Sequence, residues 1–199
     1  SLDCTIPDAE LTAVLRVFAD YADLKSPWFL GYSRRVAELT AAAARAAGLG
    51  ADDVALAERA ALVHRIGAIG VSTGIWNKPG PLTIAERERV RTVPYLTERV
   101  LCRQPRLCEI GAVAAAGHER MDGSGYPRGL TGTAIPAPAR LLAAAAVWLV
   151  RVPSLPATVS ICSTSKPCSS PAAFSVSKVP ARWAWTASIS PAPGPWPGN

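Results

Sequence analysis

Apolar residues recur at three- and four-residue spacing through the first 150 positions, and none of their runs alternates, which confines this part of the chain to packed helices. From Asp8 to Asp23 the repeat is carried by Leu11, Val14, Leu15, Phe18 and either Tyr21 or Ala22. Ser26-Pro27-Trp28 breaks it, and Tyr32 to Ala47 gives a second run with Val36, Leu39 and Ala43 on one side. Gly48 and Gly50 stop that run. Asp52 and Asp53 suit the positive end of a third helix, which runs through Val54 to Val63 and carries His64 at its end. Ile66 to Leu82 is punctuated by glycine and proline and reads as a connection. Thr83 with Glu86 forms a capping box for a short helix to Arg91. Pro94 suits the first position of the next helix, whose apolar stripe is Tyr95, Leu96 and Val100. Pro105 precedes a helix from Leu107 to Gly117, and Ala139 to Val150 is a strongly apolar helix expected to be buried. The fold class is all-α, with one helical domain over residues 1–150.

Beyond that boundary the composition changes. Residues 151–199 carry Arg151, Lys166, Lys178 and Arg182 and no acid, so most of the chain's net +6 belongs to this segment. Four scattered cations form no patch, which argues against nucleic acid as a partner. Prolines interrupt every run in the segment, and its Pro/Ser-rich, acid-free composition reads as a disordered tail. Its tryptophans do not suit a solvated linker, and a shifted reading frame in a GC-rich gene would account for both features. Reading the gene in the other two frames after codon 150 decides this, and the absence of a helical continuation in both would rule it out.

The five cysteines are odd in number and form no Cys-x-x-Cys pair, which argues against a disulfide framework or a zinc site and for a reducing compartment. Cys102 and Cys108 are expected as buried thiols. The longest apolar run, Leu141 to Val150, is too short to cross a bilayer, so a cytoplasmic protein without membrane attachment is expected. The chain opens on Ser1, so further sequence upstream is also expected.

The stretch from Gly117 to Leu130 packs an imidazole, carboxylates, several glycines and a Tyr-Pro step directly after an apolar helical run. Gly123, Gly125 and Gly129 permit left-handed turns and close approach, while Pro127 fixes one dihedral. His118-Glu119 followed by Asp122-Gly123-Ser124-Gly125-Tyr126-Pro127 resembles the signature of the HD-GYP domains, metal-dependent phosphodiesterases that hydrolyse cyclic di-GMP. The resemblance covers roughly residues 8–150. It extends to Gly31-Tyr32-Ser33-Arg34-Arg35-Val36-Ala37, to Ala60 through Gly70, to Lys78-Pro79-Gly80-Pro81-Leu82-Thr83 and to Pro94-Tyr95-Leu96-Thr97-Glu98. It implies an HD-type helical bundle.

The resemblance also implies a cluster of histidines and aspartates holding iron or manganese ions that activate a water. Carried over position by position, the third-metal ligand of some members falls on Trp28 and the first histidine on Tyr32. The His-Asp pair is His64 followed by Arg65, and the lysine after it is Ala68. The histidine before Pro94 is Val93, the first of two adjacent histidines is Gly117, and the late aspartate is Ala146. His64 and His118 are the residual metal candidates, short of the about three ligands a catalytic site needs. The expectation is that the metal is not retained and that hydrolysis is weak or absent. The alternatives are a non-catalytic module binding a cyclic nucleotide or a signalling-domain protein, and a truncated gene product without function.

Each candidate has a structural explanation as well. His64 also suits a hydrogen-bonded core histidine, and His118 a solvent-exposed residue at a helix C-terminus. Arg65 and Arg128 are candidate phosphate contacts, since guanidinium groups pair with phosphate oxygens, or else solvated surface residues. Asp122, Gly123, Gly125, Tyr126 and Pro127 form the candidate substrate or partner loop, or simply a rigid turn.

Overall fold

Why the helices begin and end where they do is largely a matter of caps and small residues. The computed structural model describes residues 6–151, so the expectations for the segment after Arg151 lie outside the described residues. The described residues up to Ala146 form one compact unit.

Helix α1 (Asp8–Asp23) starts with Asp8 and Glu10 in its first turn, where the helix dipole favours acids. It buries Leu11, Leu15, Ala19 and Ala22, so the expected apolar stripe is split: Ala22 joins the core, while Phe18 and Tyr21 face outwards. After a 3-10 turn at Pro27–Phe29, helix α2 (Tyr32–Ala46) is entered through Gly31 at φ 71°, a left-handed conformation that glycine adopts without a Cβ clash. The core line of α2 is Val36, Ala37, Thr40, Ala41 and Ala44, while Leu39 and Ala43 are half-buried at its edge.

Helix α3 (Ala51–Val63) packs against α1, α2 and α7, and its Ala57, Ala60 and Ala61 are fully enclosed. Methyl-sized side chains there let three neighbouring helices approach one axis closely. The stretch read as a connection contains a 3-10 turn, Ile66–Gly70, and a one-turn helix α4 (Thr73–Trp76), whose cap Ser72 accepts from the Gly74 amide. Segments this short carry no detectable period. Helix α5 (Ile84–Arg91) begins with the expected Thr83–Glu86 capping box.

Helix α6 (Val93–Leu101) starts one residue before Pro94, and α7 (Pro105–Ala116) takes Pro105 into its first turn. Helix α8 (Ala137–Arg151) begins two residues earlier than its apolar run suggests, because Pro138 is tolerated in a first turn. Among the described residues there is no strand, only an isolated antiparallel bridge between Asp122 and Thr131. No helix among them is long and apolar enough to cross a membrane.

The cysteine expectation is corrected in one place. Cys102 and Cys108 are joined as a disulfide across the turn between α6 and α7, with their Cα atoms 4.0 Å apart. Cys108 is exposed and Cys102 half-buried, so neither is a buried thiol. Counting cysteines and looking for Cys-x-x-Cys could not anticipate a pair brought together by a helix turn.

Candidate functional site

The site gathers where α1 ends, α2 begins and α3 gives way to its 3-10 turn. His64 caps α3 and is buried. Its Nδ1 lies 2.6 Å from the Ala61 carbonyl, which can only accept, so Nδ1 carries the proton and Nε2 keeps its lone pair. Burial, with the neighbouring Arg65 charge adding to it, pushes the His64 pKa down to about 3.

Tyr32 opens α2 with its ring 6.0 Å from the His64 ring. Its hydroxyl donates to the Ala146 carbonyl at 2.9 Å, and burial pushes the phenol up to about 12. Two positions where the resemblance implies ligands, Tyr32 and Ala146, are therefore bonded directly to each other.

Arg65 turns inwards. Its guanidinium lies 3.4 Å over the Phe29 ring, 5.3 Å from Trp76 and 5.7 Å from Tyr32, an arrangement that stabilises a cation through the ring quadrupoles. Nε is 3.8 Å from Oδ1 of Asp23, too far for a hydrogen bond. Neither Nε nor Nη2 has a hydrogen-bond partner. Burial lowers the pKa to about 10, which leaves the group cationic at neutral pH. Asp23 itself accepts from the Ser33 amide at 2.8 Å and its hydroxyl at 2.7 Å, while burial raises its pKa above the usual carboxylate value.

His118 differs from the solvated residue expected at a helix end. It is half-buried, its Nδ1 is out of solvent and unpartnered, and its ring lies 5.4 Å from Tyr126. Burial first and Arg65 second push its pKa down to about 4. The structure thus brings His64, His118 and Arg65 within mutual electrostatic reach. The depressed histidines fix the sign of one pH effect. A histidine at 6.5 unfolded and 3 to 4 folded binds more protons in the unfolded chain, so stability is full above pH 6.5 and falls on acidification. By pH 5 the loss is about 2 kcal/mol for each histidine. Urea melts at pH 7 and pH 5 check this, and equal midpoints would contradict it.

The loop after His118 is organised by Glu119, a role that its place in the sequence does not announce. This buried carboxylate accepts from the Arg128 amide at 2.7 Å through Oε1 and from the Leu130 amide at 3.0 Å through Oε2, so it ties both ends of the loop's second half. An acid directly after an apolar helical run was the available signal. Gly125 packs so close to Glu119 that an added Cβ would lie 2.5 Å from the Glu119 Cα. Gly123 sits at φ 79°, the Tyr126 amide donates to the His118 carbonyl at 3.3 Å, and the Tyr126-Pro127 bond is cis. Asp122 is exposed and accepts from the Ser124 amide and hydroxyl at 3.0 and 2.7 Å, so its carboxylate is engaged within the loop. Arg128 is exposed and paired with Glu98. Val93 is buried against Ala68 and Val71, and a Cβ on Gly117 would meet Leu142 at 2.9 Å.

A divalent cation fits these residues poorly. Among the described residues, no group of three or more His, Cys, Asp or Glu side chains gathers to hold one. The guanidinium beside the two imidazoles offers no lone pair and adds positive charge.

A family model described as the HD domain matches residues 16–153. This chain belongs to the HD domain family. Among the curated relatives of this HD domain is a 3'3'-cGAMP-specific phosphodiesterase 3 of Vibrio cholerae, 37% identical over 143 residues, or 72% of this chain and 31% of the relative. A cyclic di-GMP phosphodiesterase response regulator of Xanthomonas campestris is 38% identical over 131 residues, 65% of this chain and 34% of its own. A cyclic di-GMP phosphodiesterase of Thermotoga maritima is 34% identical over 138 residues, 68% and 37% of the two chains. The HD-GYP resemblance and the all-α HD bundle hold. The chain spans about a third of the length of these relatives. HD-type phosphohydrolases generally depend on divalent metal ions.

Proposed function

We propose that this HD domain is a signalling module related to cyclic-dinucleotide phosphodiesterases in which metal-dependent hydrolysis is lost or reduced to a trace. The observation that carries this reading is the buried Arg65 guanidinium, caged by Phe29, Tyr32 and Trp76 at the position where the resemblance implies the aspartate of the His-Asp pair. Bound metal ions would supply a water activated near neutral pH. The remaining donors do not replace that chemistry. His64 and His118, at about 3 and 4, are weak bases at pH 7, whereas a general base works best with a pKa near the operating pH. Tyr32 at about 12 is no better placed to lose a proton.

On this reading the module recognises a cyclic dinucleotide or a signalling partner through the face that keeps the 122–127 loop, and does so without turnover. The test uses the purified full chain. Iron, manganese and zinc per chain are measured, and hydrolysis and equilibrium binding of cyclic di-GMP and 3'3'-cGAMP are assayed together. The expected result is metal well below one ion per chain and no metal-stimulated hydrolysis. Stoichiometric metal with turnover would overturn the reading, and nucleotide binding alone would identify the domain as a receptor.

A further inference from the structure

A cleft of about 550 Å³ lies between Lys25 after α1, the segment from Ile69 to Ser72, Ile75 of α4 and Arg89 of α5. That volume is in the range of small-molecule sites, about 300–1,000 Å³. The cleft shares no lining residue with the group around His64, Arg65 and His118 or with the 122–127 loop.

Its charge is one-sided. Lys25 and Arg89 reach it from two separate segments, and no carboxylate lines it. Neither cation makes an ion pair among the described residues, and the acids nearest to them in the chain are already engaged. Asp20 pairs with Arg34, and both oxygens of Asp23 accept from Ser33. On α5, Glu86 holds Lys78 and caps Thr83, while Glu88 holds Arg91. Two cations facing one cleft without a counter-charge favour an anion between them. A phosphate monoester suits them, because it carries a charge of about −1.5 to −2 at neutral pH and three acceptor oxygens. Ser72 adds a donor: its hydroxyl oxygen accepts from the Gly74 amide at 3.3 Å, which leaves its hydrogen for a ligand. Ile69, Val71 and Ile75 give the cleft an apolar wall. Val71 and Ile75 pack in the cluster around Ala68 and Val93, so that wall is held in place by the core. Apolar surface beside paired cations suits an anion that carries an organic body.

We propose that this cleft binds a small organic phosphate, with Lys25 and Arg89 on the phosphate group and Ile69, Val71 and Ile75 against an apolar or aromatic body. The site does not depend on whether the domain hydrolyses or binds a cyclic dinucleotide. Isothermal titration calorimetry of the full chain at low salt tests it, with phenyl phosphate, inorganic phosphate and phenol as probes. Phenyl phosphate is expected to bind at one site per chain, about ten-fold tighter than inorganic phosphate, because its ring leaves water on the apolar wall. Phenol is expected not to bind measurably. Lys25→Gln and Arg89→Gln are each expected to weaken phenyl phosphate about ten-fold, since each removes one charge-assisted contact. Their melting temperatures are expected to stay at the wild-type value, because neither cation has an ion-pair partner to lose. Arg45→Gln removes an exposed cation of α2 outside the cleft and is expected to leave the affinity unchanged. The proposal is overturned by an absence of binding, by equal affinity for phenyl phosphate and inorganic phosphate, or by binding that survives both cleft substitutions. A loss in Arg45→Gln as large as in the cleft variants would overturn it too, as attraction to net charge alone.

Discussion

Arg65→Asp is expected to lower the melting temperature of the metal-free domain by roughly 10 °C and to make the domain responsive to manganese. The guanidinium is the only cation paired with buried Asp23 among the described residues, and it fills the space between Phe29, Tyr32 and Trp76. Replacing it with a carboxylate puts two acids in a low-dielectric pocket with no counter-charge. Breaking a buried ion pair of this kind costs about 3–5 kcal/mol, which for a chain of this size corresponds to about 10 °C. The same substitution sets a carboxylate beside His64 and His118 and raises the donor count to three, enough for a divalent ion. A thermal melt with and without manganese reads both effects. The variant is expected to regain stability with manganese while wild type does not shift. A wild type that responds as strongly would show that Arg65 does not oppose the metal.

The second large effect is expected at Gly67, in the turn that follows the histidine. A Cβ there would lie 2.2 Å from the Val93 carbonyl oxygen, 2.7 Å from the Thr97 amide nitrogen and 2.8 Å from Thr97 Oγ1. Two of those atoms are backbone, so α6 must move away for an alanine to fit. Thr97 would then lose its grip on the turn. Its Oγ1 accepts from the Gly67 amide at 3.1 Å and donates to the His64 carbonyl at 3.3 Å, which fixes the end of α3. Gly67→Ala is therefore expected to cost about 3 kcal/mol or more. Gly70→Ala serves as the control, because its Cβ would meet only the flexible end of Leu96, at 3.0 Å. Urea titration of both variants separates the two, and equal small losses would contradict the close packing of Gly67 on α6.

Both effects involve residues whose identity was plain in the sequence and whose surroundings were not. Helices α3 and α5 could be read from capping acids and a capping box because those signals are local. The family could be read from the loop after His118 because its glycines, proline and histidine are contiguous. The expectation that Tyr32, Arg65, Val93 and Ala146 depart from the ligand pattern rests likewise on contiguous motifs, and it comes from the resemblance.

What the linear order could not supply was which of those residues meet. Tyr32 and Ala146 are separated by 114 positions and share one hydrogen bond. Phe29, Trp76 and Asp23 come from three segments to enclose Arg65, and no local periodicity links them. The direction of the Arg65 side chain, the buried Nδ1 of His118 and the clamp made by Glu119 depend on desolvation, which exists only once distant helices pack. In α1, likewise, spacing revealed apolar residues on much of the surface but not which of them α2 and α3 would cover. The sequence by itself determined the longer helices, the family and the presence of an arginine at position 65. The tertiary structure decided that a guanidinium lies at the centre of the site and that one apolar face of α1 is left outside, because burial depends on contacts between residues far apart in the chain.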